Sequence, residues 1–323
     1  MKWQSLATVS VLIGIAACSS MKSDGPIRSI SSTPICENLD SFTLAVHGGV
    51  GYVASASQKE VLKKILADGH QMLKDGVRGI DVVQNVVEQM ENSGLFNAGR
   101  GGTRTNVKTV ELDSSIMDGR DLSAGAVASV KDVKNPIRLA RAVKDQTNNV
   151  FIVSEGASLK AREFGLDLVT PDYYVGIAPL PGEKVHYGTV GAVVRDRCGD
   201  LAAGTSTGGL YNKPRGRVGD SPIIGGGTYA NNLTCAVSAT GDGEKFIRAS
   251  VGSRISSILQ YTDRSLKSAV DEALDLVKEL KGGGGVISVD KKGQVYWSTT
   301  DNAPMPRGLV REDGVVVVMD PSA

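Results

Sequence analysis

Strand-forming runs in this chain arrive in neighbouring pairs, with helical runs before and between the pairs. Residues 110–116 are followed by 124–130, 189–195 by 201–206, and 286–289 by 295–298. Further strands are expected at 42–46, 150–153, 234–239 and 315–319. This is not a strict β-α-β alternation, so a layered α+β sandwich fits better than a doubly wound parallel sheet. The first helix is expected to start with Ser57 and Glu60 at capping-box spacing, with Val61, Leu62, Ile65, Met72 and Leu73 on one face. The second carries Val82, Val83, Val86, Val87 and Met90. Asn135-Pro136 opens a third, Pro being favoured at the first helical position, and others are expected near 157–164, 244–261 and 265–281. Residues 92–105 and 166–188 read as loops, the second interrupted by Pro171, Pro179 and Pro181.

The 323 residues are 41% hydrophobic, enough for a sizeable core. Lys and Arg are dispersed and the net charge is +1, which argues against a nucleic-acid partner. At 5% aromatic content, an aromatic-lined cleft is not expected.

Residues 1–17 read as an export signal. Lys2 precedes an apolar stretch, 6–17, that is too short to span a bilayer and ends in Ile15-Ala16-Ala17-Cys18. Small residues before a cysteine resemble a bacterial lipobox, with Cys18 as the lipidated first residue of the mature chain. The alternative is a plain signal cut near Ala17, giving a soluble periplasmic protein. Ser19 and Ser20, with no Asp beside the cysteine, point to the outer membrane or cell surface, and membrane contact is expected through the lipid alone. Residues 18–40 read as a flexible Ser/Pro/Lys tether. Cys36, Cys198 and Cys235 lack zinc-site spacing and are read as small buried or incidental residues.

The chemistry is narrowed by elimination. Gly204-Thr205-Ser206-Thr207-Gly208 has the G-x-S-x-G spacing of a nucleophile elbow, but loop text follows it and all three histidines, His47, His70 and His186, lie upstream. No histidine pairing has metal-ligand spacing. His70, on an amphipathic helix, reads as a surface or interface residue. A hydroxyl can instead be activated by its own α-amine, which titrates at roughly 7.7–8.0. That requires a threonine made N-terminal by chain scission. Gly188-Thr189 is the candidate bond: it follows an irregular segment, Gly188 offers no side chain to block attack, and Thr189 opens an apolar strand.

Gly188-Thr189-Val190-Gly191-Ala192-Val193, Thr205-Ser206-Thr207-Gly208-Gly209, Gly216-Arg217-Val218-Gly219-Asp220-Ser221-Pro222 and Ala239-Thr240-Gly241-Asp242-Gly243-Glu244 follow one another in that order. With His47-Gly48-Gly49, Phe96-Asn97-Ala98-Gly99, Asp118-Gly119 and Gly284-Gly285-Val286-Ile287, they resemble the isoaspartyl peptidase/plant-type asparaginase family of N-terminal-nucleophile hydrolases over residues 42–319. The resemblance implies a four-layer αββα sandwich, cut into an α subunit, 41–188, and a β subunit, 189–323. It implies Thr189 as nucleophile, Thr207 as its hydroxyl partner, and Thr240 and Gly241 as the oxyanion hole. Arg217 and Asp220 become the clamp on a substrate carboxylate and ammonium, Gly243 gives room for substrate, and Asn97 supports the site. No organic cofactor is implied. A structural sodium is, held by backbone carbonyls near Met90, Glu91, Ser93, Phe96, Ala98 and Arg100. So is a dimer of αβ units acting on small-molecule or dipeptide substrates. Asp242 stands where the family often has Thr or His, which leaves substrate preference open. A glycosylasparaginase, a threonine endopeptidase and a non-catalytic surface lipoprotein of the same fold remain as alternatives.

Overall fold

The computed structural model describes residues 41–176, 188–314 and 316–319. The signal, Cys18, the tether and residues 177–187 of the second expected loop lie outside these residues. In chain order the elements are β1 (Thr43–His47), α1 (Ala56–Lys74), α2 (Gly79–Ser93), β2 (Leu112–Asp118), β3 (Ala124–Val130), α3 (Pro136–Gln146), β4 (Phe151–Val153) and α4 (Ser154–Glu163). They continue with β5 (Val190–Arg195), β6 (Leu201–Thr207), β7 (Thr228–Ala230), β8 (Cys235–Gly241), α5 (Gly243–Ala249), α6 (Val251–Tyr261), α7 (Leu266–Glu279), β9 (Gly284–Asp290), β10 (Val295–Thr299), β11 (Arg307–Arg311) and β12 (Val317–Met319).

Two sheets form, one of eight strands in the order β12-β11-β1-β5-β6-β2-β3-β4, the other of four in the order β10-β9-β8-β7. Period-two alternation assigns their faces. Val190, Ala192 and Val194 of β5 and Leu44 and Val46 of β1 join one core with Leu62, Ile65, Val83, Val86, Val87 and Ile137 from α1, α2 and α3. The intervening Ala45 and Val193 point the other way, onto Ala236, Ile287 and Val289 of the second sheet. The outer face of that sheet is covered by Ile255, Val270, Leu274 and Val277 of α6 and α7. The result is the expected αββα sandwich. The inter-sheet layer is not apolar throughout: His47 Nε2 pairs with Ser238 Oγ at 2.9 Å, Ser238 Oγ with Thr205 Oγ1 at 2.7 Å, and Thr228 Oγ1 donates to Thr205 Oγ1 at 2.6 Å.

Several local expectations are corrected. The capping box of α1 is Ser55 with Gln58, not Ser57 with Glu60; the Gln58 side chain returns to the Ser55 N–H at 2.8 Å. Expected residues 244–261 are two helices, because Ser250 turns left-handed at φ 49° between α5 and α6. The strands β7 and β11 were not expected. The first has only three residues in a Gly/Asn-rich stretch, and the second, Arg-Gly-Leu-Val-Arg, has charged ends yet pairs with β1 along its whole length. Cys235 is free and fully buried, and burial pushes its thiol up to about 12. Cys198 is disulfide-bonded. His70 sits against the Phe42 ring, centroids 5.4 Å apart.

Candidate active site

The β5–β6 ladder pairs Val190 with Ser206, so one step outward it brings Thr189 opposite Thr207. Thr189 Oγ1 donates to Thr207 Oγ1 at 3.1 Å, and Thr207 Oγ1 also accepts the Gly209 N–H at 2.9 Å. Both threonines are buried at the end of a central ladder, where neither backbone has room to drift. Gly188 does not have a left-handed backbone; its requirement is space, since a Cβ there would lie 2.7 Å from Asn97 Cβ. Asn97 braces the other side of the same corner. Its Nδ2 donates to Gly209 O at 2.7 Å, its Oδ1 accepts Thr103 N–H at 2.8 Å, and its carbonyl accepts Gly208 N–H at 2.9 Å.

Thr189 and Thr207 form one wall of a small cleft that Arg217, Asp220, Gly209 and Gly241 complete. Asp220 is buried, with Oδ2 lacking a hydrogen-bond partner. Burial pushes its carboxyl up to about 7, although the nearby Arg217 charge pulls the other way. Arg217 is bidentate to Glu244, Nε to Oε1 and Nη2 to Oε2, both at 2.8 Å. Burial disfavours its charge, but Glu244 more than offsets this and raises the guanidinium pKa. Gly243 is packed against Arg217 and Asp220. A Cβ there would meet Arg217 Nη2 at 2.9 Å and Asp220 Oδ1 at 3.0 Å, so the missing side chain makes room for these two residues.

Gly241 ends β8 with φ 147°, and a Cβ would lie 2.4 Å from Gly283 O. Thr240 is fully buried behind the cleft wall, with Oγ1 accepting the Val50 N–H at 3.3 Å. One cleft thus gathers Thr189, Thr207, Arg217, Asp220 and Gly241, with Asn97, Thr240 and Gly243 packed behind it.

The sequence profile of the asparaginase family matches residues 40–180 and 178–319. The chain belongs to the asparaginase family. It is 38% identical over 315 residues to the isoaspartyl peptidase of Escherichia coli K12, covering 85% of this chain and 98% of that one. It is 37% identical to a probable isoaspartyl peptidase/L-asparaginase 2 of Arabidopsis thaliana, covering 87% and 99%. Identity to the isoaspartyl peptidase/L-asparaginase of Mus musculus is 38%, covering 88% and 93%.

Other residues of this asparaginase-family chain frame the site beyond those given a role in it from the sequence. Glu244 sits in the motif after β8, but its pairing with Arg217 joins residues 27 apart and leaves no local pattern. His47, last residue of β1, is fully buried, and burial lowers its pKa to about 3, so it is neutral and cannot serve as a charged group. The G-x-S-x-G serine is explained structurally: Ser206 faces the helices and donates to Glu91 Oε1 at 2.6 Å. Burial pushes Glu91 up to about 8, and its carboxyl also accepts from Ile137 N–H and Asn135 Nδ2, each at 3.0 Å. Asp242 is not in the cleft wall but precedes α5.

The segment expected to hold sodium curls back onto the end of α2. Gly99, at φ 50°, lies so close that a Cβ would be 2.9 Å from Glu91 O. The Phe96 and Ala98 carbonyls each accept one backbone hydrogen bond, which leaves each a second lone pair. Backbone carbonyl oxygens of this kind can replace the hydration shell of an alkali cation.

Proposed function

We propose that this chain is a self-cleaving hydrolase of β-aspartyl amide bonds, acting on isoaspartyl dipeptides, L-asparagine or both. The observation that carries the reading is the contact between Thr189 and Thr207 hydroxyls in a cleft that also presents Arg217 and Asp220. In maturation, Thr189 Oγ1 attacks the Gly188 carbonyl, the peptide C–N bond breaks as an ester forms, and water hydrolyses the ester. This leaves a carboxylate on Gly188 and an amine on Thr189.

In turnover that amine takes the hydroxyl proton, and the oxygen attacks the substrate side-chain carbonyl. Thr207 orients the nucleophile. Charge developing on the carbonyl oxygen is met at Thr240 and Gly241. The leaving amine or ammonia takes the proton, the acyl ester forms, and water releases aspartate. Arg217 receives the α-carboxylate and Asp220 the α-ammonium, opposite charges matched to a free amino-acid end. Where sodium binds, the carbonyls of Met90, Glu91, Ser93, Phe96, Ala98 and Arg100 would hold it, and it would fix the segment that carries Asn97.

We infer further that the chain is exported, carries lipid on Cys18, and works as a dimer of αβ units. A disulfide-bonded Cys198 supports an oxidising compartment, and the lipobox text supports the anchor. Among the described residues no helix is long and apolar enough to cross a membrane.

One denaturing gel with mass analysis tests the cleavage and the anchor, and the mass of the native particle tests the dimer. Wild type is expected to run as two fragments, the second beginning at Thr189, and Thr189→Ala as one intact chain without activity. Active wild type in a single uncut band overturns the mechanism. A front fragment whose mass shows an unmodified cysteine, or no Cys18 terminus at all, overturns the anchor.

A further inference from the structure

Lys213 is a cation removed from water. Its side chain and that of Asp113 are both 0% exposed, with Nζ 3.8 Å from Asp113 Oδ2. Nζ also donates to the Glu111 carbonyl at 2.9 Å. Asp113 Oδ1 accepts the Ser129 N–H at 2.8 Å, and its Oδ2 faces the lysine without a hydrogen bond of its own. Burial lowers the Lys213 pKa and raises that of Asp113, and each charge acts to restore the other. Desolvation largely cancels the attraction in such pairs, so stability alone is a weak reason for one.

What the pair touches gives a better reason. Asp113 lies directly opposite Thr207 in the β2–β6 ladder. The Lys213 side chain runs beneath Gly209, where an added Cβ would lie 2.9 Å from both Nζ and Cδ. The Lys213 N–H closes a turn onto Leu210 O at 3.2 Å, and Lys213 O accepts the Asn106 N–H at 2.9 Å. Gly209 in turn supplies the N–H that fixes Thr207 Oγ1, the acceptor of the Thr189 hydroxyl.

We propose that Lys213 and Asp113 are positioning residues for the nucleophile: the buried pair clamps the turn at 209–213 onto β2 and so sets the Gly209–Thr207–Thr189 hydrogen-bond chain. The proposal rests on the hydrolase reading above and adds to it two residues that touch neither substrate nor reacting oxygen. Asp113 and Lys213 also bear on Arg217, with opposite charges, so a single substitution disturbs the clamp as well; the double variant removes both charges, and there the pair acts on the chemical step more than on substrate binding.

The test compares full-length wild type, Lys213→Met, Asp113→Asn and the double variant for self-cleavage, thermal unfolding, and kcat and KM on a β-aspartyl dipeptide. Lys213→Met leaves an uncompensated buried carboxylate and loses stability, whereas the double variant removes both charges and unfolds near the wild-type temperature. In the double variant kcat is expected to fall at least about tenfold while KM stays within about threefold. Wild-type kcat in a stable double variant overturns the proposal, as does a loss confined to KM. If the double variant unfolds early, kcat and KM are compared at a lower temperature where it and wild type are both folded, and wild-type kcat there overturns the proposal. Wild type that is itself uncut and inactive would instead sink the hydrolase reading.

Discussion

Asp220 is where one side chain's environment has the most direct functional consequence. An ammonium is held by a carboxylate, not by a carboxylic acid, and burial sets this group near 7. The ionised fraction therefore falls as pH drops through that value, from about nine-tenths at pH 8 to about one-tenth at pH 6. Inhibition by the product L-aspartate should weaken roughly tenfold over that interval. Succinate, which has both carboxylates but no amine, should show no such loss, because Arg217 does not titrate there. Parallel inhibition curves for the two acids across this range would remove Asp220 from the ammonium site. Thr189, Thr207, Arg217 and Asp220 were legible in the sequence because each sits in a short motif whose neighbours repeat a known arrangement. Lys213 and Glu244 were not. A lysine reads as a surface residue, and only the fold reveals that Asp113, 100 positions earlier, is buried against it.

At the level of elements, paired strands were readable because alternation is a local signal, whereas the partner across the inter-sheet layer is not. Gly191 shows the difference. It sits within β5 as if it were any small strand residue, yet a Cβ there would fall 1.9 Å from Ser238 Oγ and 2.5 Å from His47 Nε2. Gly191→Ala should break the His47–Ser238 hydrogen bond and cost about 1–3 kcal/mol or more through overpacking. Gly156 is the opposite case. It lies inside α4, and an added methyl would touch only Ile152 Cγ2 at 3.6 Å. Gly156→Ala should stabilise by about 0.5–1 kcal/mol through helix propensity. Denaturant unfolding of the two variants checks both signs, and equal effects would refute the packing argument. The division between α5 and α6 was hidden for a related reason: Ser250 takes a left-handed backbone that its residue type does not announce.

For the whole molecule, the decisive fact is how the two halves of the chain share the larger sheet. Strand β1 precedes the proposed cut, yet both its neighbours, β11 and β5, follow it, each paired with all five β1 residues. The cut molecule should therefore elute from a sizing column as one particle containing both fragments, and the fragments should part only in denaturant. Separation in native buffer would contradict the strand order.

That threading makes activation behave as a ratchet. Once water has opened the backbone, the two pieces have no route to drift apart short of dismantling a central strand on both edges. Dilution cannot reverse the event, and the catalytic amine is retained for as long as the globule itself endures.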